Sequence, residues 1–67
     1  MTTRMPELRA RLGLTQDELA KMVDVCRETI VHLEKGRYNP SLLLAYRISR
    51  ALQVGIEEVF VFEDKDA

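Results

Sequence analysis

Residues 27–35 contain a group of polar side chains that are able to bind a ligand. Arg27 can donate two hydrogen bonds to guanine or hold a phosphate, and Glu28 can accept from the amino group of cytosine or favour a helix N-terminus. His32 has no acid, serine or metal partner, so it is expected to contact a base edge or a phosphate rather than to serve catalysis. The sequence has no nucleophile–base pair, metal-ligand cluster or phosphate loop, which predicts recognition rather than an enzyme, without cofactor or metal.

The stretch from Gln16 to Lys35 has the pattern needed to position those side chains. It contains two short helical patterns that meet at a tight turn, and the small Ala20 stands where the two helices must touch. Apolar residues mark the inner faces of the two helices, Leu19, Ala20 and Val23 on the first and Val25, Ile30 and Leu33 on the second. This organisation predicts a helix-turn-helix, whose second helix can lie in the major groove of DNA.

Turn and cap signals predict the neighbouring helix boundaries. Pro6 suits the first turn of an opening helix, which Gly13 is expected to end in the left-handed conformation. Thr15 and Glu18 form a capping-box pattern that begins the second helix. These signals place one helix before the helix-turn-helix.

The C-terminal half predicts two more helices and a strand. Ser41 is expected to cap a fourth helix, which the Val-Gly pair at 54–55 should break, and a short fifth helix follows at about 56–59. The β-branched and aromatic run at 59–62 predicts a short strand. Its expected partner is residues 2–4 or the tail of another copy, and a frayed C-terminus is the alternative.

Charge is distributed unevenly along the chain. The formal net charge is −1. Residues 27–50 hold five basic and two acidic residues, whereas residues 57–67 hold five acidic residues and one lysine. We expect a basic surface that can meet phosphate and an acidic tail, because local rather than total charge governs such contacts. A solvated surface of mixed charge is the alternative interpretation.

Length and composition limit the class of protein. A chain of 67 residues is expected to be one domain, residues 1–67, at the lower edge of what one apolar core supports. Its one cysteine cannot form an internal disulfide, so oligomerisation is the expected supplement to stability. No apolar run approaches about 20 residues and the N-terminus lacks the pattern of a signal peptide, so we expect a cytoplasmic protein without membrane contact.

Three ordered segments resemble a known family. Gly13-Leu-Thr-Gln-Asp-Glu-Leu-Ala, Glu34-Lys-Gly-Arg-Tyr-Asn-Pro-Ser41 and Val54-Gly-Ile-Glu-Glu-Val-Phe60 are similar to the Cro/repressor-type helix-turn-helix family, also called the xenobiotic-response-element family. Within it, the chain most resembles short stand-alone regulators such as the cytolysin repressor. The resemblance implies an all-α, five-helix, repressor-like DNA-binding domain with a short terminal β element. It implies double-stranded DNA and a second copy of the chain as partners.

The resemblance also implies roles for individual residues. Arg9 would pair with Glu34 and lock the first helix to the third, and Gln16 would touch a DNA phosphate and support the recognition helix. The base-reading positions would be Arg27, Glu28, Val31, His32 and Lys35. Positions near the DNA backbone would be Arg37, Tyr38 and Asn39, although Asn39 could instead support its loop or the dimer. Thr29 could reach a phosphate or a base, or pack its methyl group against the second helix.

Two residues depart from the family pattern. Asp24 stands at the turn where the family usually has glycine, and Asp tolerates the left-handed region better than most residues. Cys26 stands where Ser or Thr usually caps the recognition helix, and because a thiol is a weak acceptor we expect a cap poorer by about 0.5–1 kcal/mol. For Cys26 the alternatives are a redox role, since a helix N-terminus lowers a thiol pKa, and a small half-buried residue without chemistry.

The apolar end of the chain predicts a dimer interface formed by Ile56, Val59, Phe60 and Phe62. In an alternative arrangement, Ile56 and Val59 close the core while Phe60 and Phe62 face the partner. The expected function is a homodimeric, sequence-specific transcription regulator, a repressor, that reads an inverted repeat with recognition helices about 34 Å apart. A protein-interaction module such as an antitoxin or adaptor is the alternative.

Overall fold

The computed structural model describes residues 2–62, which form five helices and a two-stranded sheet. The helices are α1 (Met5–Leu12), α2 (Gln16–Met22), α3 (Arg27–Glu34), α4 (Leu42–Leu52) and α5 (Ile56–Val59), and the strands are β1 (Thr2–Thr3) and β2 (Phe60–Val61). This architecture confirms the expected fold class. Across residues 2–62, no helix has the length and apolar character needed to cross a membrane. Of the predicted acidic segment 57–67, residues 63–67 lie beyond the described residues, and Glu57 and Glu58 lie in α5.

The two strands pair antiparallel, with Thr2 opposite Val61 and Thr3 opposite Phe60. The backbone N–H of Arg4 extends this contact by donating to the carbonyl of residue 59 at 2.8 Å. Of the alternatives for the C-terminal apolar run, the structure shows a strand paired within its own chain. This pairing anchors the N-terminal residues beside the end of α5.

Side-chain caps begin two of the helices. Thr15 Oγ1 accepts the N–H of Glu18 at 3.0 Å, and the Glu18 carboxylate accepts the N–H of Thr15 at 2.9 Å, which completes the predicted capping box of α2. Ser41 Oγ accepts the N–H of Leu44 at 3.1 Å and begins α4. In α1, Pro6 occupies the first turn, where its missing N–H costs no hydrogen bond. The local signals in the sequence therefore set these helix starts.

Left-handed residues end the first four helices. In each case this residue and the next donate their N–H groups to carbonyls of the last helical turn, which is the Schellman arrangement. The four residues are Gly13, Asp24, Gly36 and Gln53, with φ angles of 69°, 62°, 71° and 64°. The prediction that the pair at 54–55 breaks the fourth helix is wrong, because Gln53 already ends it by donating to the carbonyl of Arg50 at 3.1 Å.

One hydrophobic core joins the helices to the strand pair, and α3 contributes Ile30 and Leu33 to it. Leu12, spaced to share a face with Leu8, remains 37% exposed at the rim of the core. The buried apolar residues are Met5, Leu8, Leu19, Ala20, Val23, Ile30, Leu33, Ala45, Ile48, Leu52, Val59 and Phe60. Because α3 buries only one side in this core, its other side is left to solvent.

The core includes two of the four residues predicted at a dimer interface. Val59 and Phe60 are 0% and 2% exposed in the single chain. The prediction that they face a partner is wrong, because their side chains have almost no surface left to offer. Phe62 is exposed and Ile56 is half-buried, so these two residues keep surface that a partner could cover.

Candidate nucleic-acid interface

The solvent side of α3 carries the residues predicted to read bases. Arg27, Glu28, His32 and Lys35 are exposed, and Val31 is half-buried. Arg27, Val31 and Lys35 follow at intervals of four, and Glu28 and His32 repeat that interval beside them. Residues four apart lie above one another on a helix, so all five share one side of α3, called here the α3 face. The helix α3 has eight residues and is therefore about 12 Å long.

The loop after α3 adds polar side chains next to the α3 face. Arg37, Tyr38 and Asn39 are all exposed. The backbone N–H of Arg37 donates to the carbonyl of His32 at 3.1 Å, and the left-handed Gly36 precedes it. These contacts fix the direction in which the loop leaves the helix. The structure therefore brings together the α3 face and the loop residues predicted near a DNA backbone.

The α3 face and its loop are basic although the whole chain is not. Exposed Arg27, Lys35 and Arg37 contribute positive charge against the one exposed carboxylate of Glu28. The charge of Glu34 at the end of the helix is offset by Arg9. A surface with this local balance attracts phosphate even when the net charge is −1.

An ion pair joins α1 to the end of α3. Arg9 Nε lies 2.6 Å from Glu34 Oε2 and Arg9 Nη2 lies 3.1 Å from Oε1, so the contact is bidentate. Arg9 Nη1 donates to the carbonyl of Leu14 at 2.9 Å. The Arg9 and Glu34 side chains are 16% and 7% exposed, and the hydrogen bond to Glu34 raises the pKa of Arg9. This pair, which the family resemblance implied, holds the C-terminal end of α3 against α1.

Two further contacts converge on Glu34. Gln16 begins α2, and its Nε2 donates to Glu34 Oε1 at 3.0 Å. Thr3 in β1 donates from Oγ1 to the backbone carbonyl of Glu34 at 3.3 Å. The resemblance implied that Gln16 touches a DNA phosphate and supports the recognition helix, and its bond to Glu34 is a contact with that helix. The particular partner of Gln16 and the contact from Thr3 were not predicted. The two contacts join residues 18 and 31 positions apart, so no local pattern could have indicated them.

The start of α3 has no side-chain cap. Cys26 has the extended backbone of an N-cap residue, but its side chain makes no cap hydrogen bond. The Cys26 Sγ lies 3.3 Å from the Thr29 hydroxyl, and this hydrogen bond is the main cause of a lowered pKa of the thiol. Cys26 is exposed, which corrects the expectation of a half-buried residue. Thr29 is half-buried, and its hydroxyl is hydrogen-bonded to the Cys26 thiol.

A second exposed surface is apolar and lies on α4, α5 and the residue after β2. It consists of Leu42, Leu43, Tyr46, Ile56 and Phe62, called here the apolar face. Leu42 and Phe62 are 79% and 64% exposed, which is unusual for side chains of this size grouped together. Sequence reasoning named Ile56 and Phe62 but missed the three α4 residues. The available signal was three consecutive leucines at 42–44, since only one side of a helix can face the core.

Comparison with known proteins places this arrangement in a family. A family model described as helix-turn-helix matches residues 7–59. The chain is 59% identical over 66 residues to an uncharacterized HTH-type transcriptional regulator of Archaeoglobus fulgidus, covering 98% of this chain and 94% of that protein. It is 54% identical over 68 residues to another from Methanothermobacter thermautotrophicus, covering 100% and 99%.

A solved structure shows the same fold. The restriction-modification controller protein C.AhdI from Aeromonas hydrophila superposes with a TM-score of 0.77 at 33% identity, over 85% of this chain and 86% of that one. Fold, outward α3 face and sequence matches together define a class of DNA-binding regulators rather than enzymes. The chain belongs to the Cro/C1-type helix-turn-helix family, which confirms the resemblance carried by the three sequence segments.

Proposed function

We propose that the protein is a homodimeric repressor that reads an inverted-repeat operator in double-stranded DNA. The α3 face is the observation that carries this proposal, because it presents hydrogen-bonding side chains on a helix whose other side is anchored in the core. A helix with its side chains is about 10–12 Å across and fits a major groove about 12 Å wide. Relatives named as transcriptional regulators support a role in gene regulation.

Each residue of the α3 face has a distinct partner in such a groove. Arg27 suits the O6 and N7 acceptors of guanine, and Val31 suits the methyl group of thymine. Glu28 accepts only from cytosine N4 or adenine N6, so it would select against bases that present acceptors alone. His32 addresses a base edge or a phosphate, and Lys35 addresses phosphate.

Polar side chains around the α3 face would fix the register on the DNA backbone. Arg37, Tyr38 and Asn39 extend this surface beyond the C-terminal end of α3, and Gln16 contacts Glu34 at that end. The Thr29 hydroxyl can also contact a DNA phosphate if it exchanges its hydrogen bond to Cys26 for one to the phosphate. Contacts of this kind supply affinity and orientation but carry no base identity.

The apolar face is proposed as the contact between two copies. A two-fold interface uses the same patch on both protomers, so one self-complementary apolar surface is sufficient. The proposal requires that two copies joined in this way present their α3 helices about one DNA turn, or about 34 Å, apart, a separation comparable to the 32 Å length of the described chain. An operator with two-fold symmetry follows from this arrangement, and a dimer seated on it would block other proteins from the same DNA.

Selection of bound sequences from a pool of random duplexes tests the proposal directly. We expect an inverted repeat with half-sites separated by about 10 base pairs. Recovery of no common sequence contradicts the proposal and favours a protein-interaction module instead. A single asymmetric site contradicts the two-fold dimer on its operator.

Two arginine variants with the same charge change separate readout from general attraction. Arg27→Ala is expected to weaken operator binding by about 1–3 kcal/mol while changing binding to unrelated DNA little. Arg50→Ala removes an equal charge from an exposed position in the last turn of α4 and serves as the matched control. Equal losses on operator and unrelated duplexes for Arg27→Ala would show that this arginine contacts only the backbone.

A further inference from the structure

The side chain of Glu34 contacts more than its ion-pair partner. Its Oε1 accepts hydrogen bonds from Arg9 Nη2 at 3.1 Å and from Gln16 Nε2 at 3.0 Å. We infer that Glu34 is a positioning residue for DNA binding, which orients the side-chain amide of Gln16 at the edge of the α3 face. This inference rests on the proposed function and assigns Glu34 a task beyond joining α1 to α3.

The carboxylate is itself held in one position. Arg9 binds both of its oxygens and is fixed in turn by the carbonyl of Leu14. The backbone carbonyl of Glu34 accepts from Thr3 Oγ1, so main chain and side chain are both restrained. With 7% of its side chain exposed, Glu34 cannot turn away to exchange these partners for water.

A fixed carboxylate determines which end of the Gln16 amide faces inward. An ionised carboxylate only accepts hydrogen bonds, so Gln16 must turn its NH₂ group and not its carbonyl towards Glu34. The NH₂ group has two hydrogens, and Glu34 takes one of them. Within residues 2–62 the Gln16 amide makes no other hydrogen bond, which leaves its second N–H for a ligand. Gln16 contacts Glu34, the residue before Lys35 in the chain, and the group best matched to its unused N–H is a phosphate oxygen, which only accepts.

Ordering the amide in advance lowers the entropy lost when DNA binds. A glutamine side chain has three rotatable bonds and an amide that can flip, and part of that freedom is removed here before the ligand arrives. The benefit should be of the size of one hydrogen bond and independent of ionic strength, because Gln16 is neutral.

Simple electrostatics predicts the opposite sign for a change at Glu34. Glu34→Gln removes a negative charge near the DNA, which by charge alone should tighten binding. If Glu34 orients Gln16, the same change weakens binding, because a glutamine at 34 can either donate or accept and no longer selects one orientation of the neighbouring amide. The direction of the change therefore distinguishes the two effects.

A double-mutant cycle on the selected operator tests the inference. Affinity is measured by fluorescence anisotropy at fixed salt for the unchanged protein, Gln16→Ala, Glu34→Gln and the double variant, with the folded fraction of each checked by circular dichroism. We expect each single change to lower affinity about three- to tenfold, and the double variant to bind like Gln16→Ala within about twofold. The dependence of affinity on salt should be the same for Gln16→Ala as for the unchanged protein.

Several outcomes overturn the inference. Unchanged or tighter operator binding by Glu34→Gln contradicts it, and so does an unchanged affinity of Gln16→Ala. Losses of affinity that multiply in the double variant also contradict it, because independent losses are expected if Glu34 has a purely structural role. If Glu34→Gln does not fold, Glu34→Asp replaces it, since it keeps the charge opposite Arg9 but shortens the reach to Gln16 by one methylene. The same cycle then decides. Failure of the unchanged protein to select any operator would refute the proposed function instead.

Discussion

The two C-terminal phenylalanines offer a sharp test of which apolar residues build the protomer and which face a partner. Phe60 is 2% exposed and Phe62 is 64% exposed. Replacing a buried phenylalanine by alanine costs about 3–5 kcal/mol. A chain of this length has a total stability of only about 3–10 kcal/mol. Phe60→Ala should therefore leave the protein largely unfolded, and Phe60→Leu should fold with reduced stability.

Phe62→Ala should act through association. A phenylalanine contributes about 150–250 Å² of surface, so the exposed part of Phe62 amounts to about 130 Å². Burying that area in a dimer is worth about 3 kcal/mol per protomer at 25 cal/mol/Å². The variant should raise the dimer dissociation constant by at least about a hundredfold, because two copies lose this contact.

Urea denaturation over a wide range of protein concentration separates the two effects. The midpoint of a folded dimer rises with protein concentration, whereas that of a monomer does not. Phe60→Leu should lower the midpoint at every concentration and keep its concentration dependence, and Phe62→Ala should remove that dependence. Equal shifts for both variants at all concentrations, or a fully stable Phe60→Ala, would refute the division between core and apolar face.

Three other changes test local features. Gln53→Gly should stabilise the fold by about 0.5–1 kcal/mol in thermal unfolding, because relief of left-handed strain exceeds the added entropy of the unfolded chain; a loss would contradict this. Cys26→Ser should stabilise by about 0.5–1 kcal/mol by supplying the missing cap of α3, and no gain would show that the cap position is already satisfied. The N–H of Thr15 lowers the pKa of Glu18, so stability from the capping box is present above about pH 4.3 and is lost as pH falls through the folded pKa. Glu18→Gln should lack that part of the acid dependence, and an unchanged acid profile would refute it.

Local chemistry made most of the helices predictable. A capping box at residues 15–18 and a serine cap at 41 act through neighbouring N–H groups, so the sequence alone contains the information. The helix α4 ends at Leu52, before the predicted Val-Gly pair, because Gln53 and Val54 donate their N–H groups to carbonyls of its last turn. Gln53 adopts the left-handed conformation since the Schellman bonds there compensate its strain, and residue type alone does not reveal this.

Residue placement at the candidate site was predictable only in part. The α3 face follows from helical periodicity, because two buried residues, Ile30 and Leu33, determine which side is exposed. The three leucines at 42–44 indicate that some of them are exposed, but only the packing of α4 shows that Leu42 and Leu43 join Ile56 and Phe62 in one apolar face. The Gln16–Glu34 contact depends on the angle between two helices, which no spacing within either helix determines.

The low net charge of the chain means that the contacts of the α3 face, and not a general attraction, must provide its affinity for DNA. A protein with net charge −1 gains little from a general attraction to DNA, so most of its affinity must come from contacts that need one orientation. The α3 face and its loop carry Arg27, Lys35 and Arg37, which attract phosphate, and in the proposed binding mode Glu28 among them would penalise poorly matched sequences. Binding to unrelated DNA should consequently be weak and should vanish at moderate salt, while operator binding persists. A small ratio between the two affinities would mean that Glu28 does not face the bases and that α3 meets the groove at another angle.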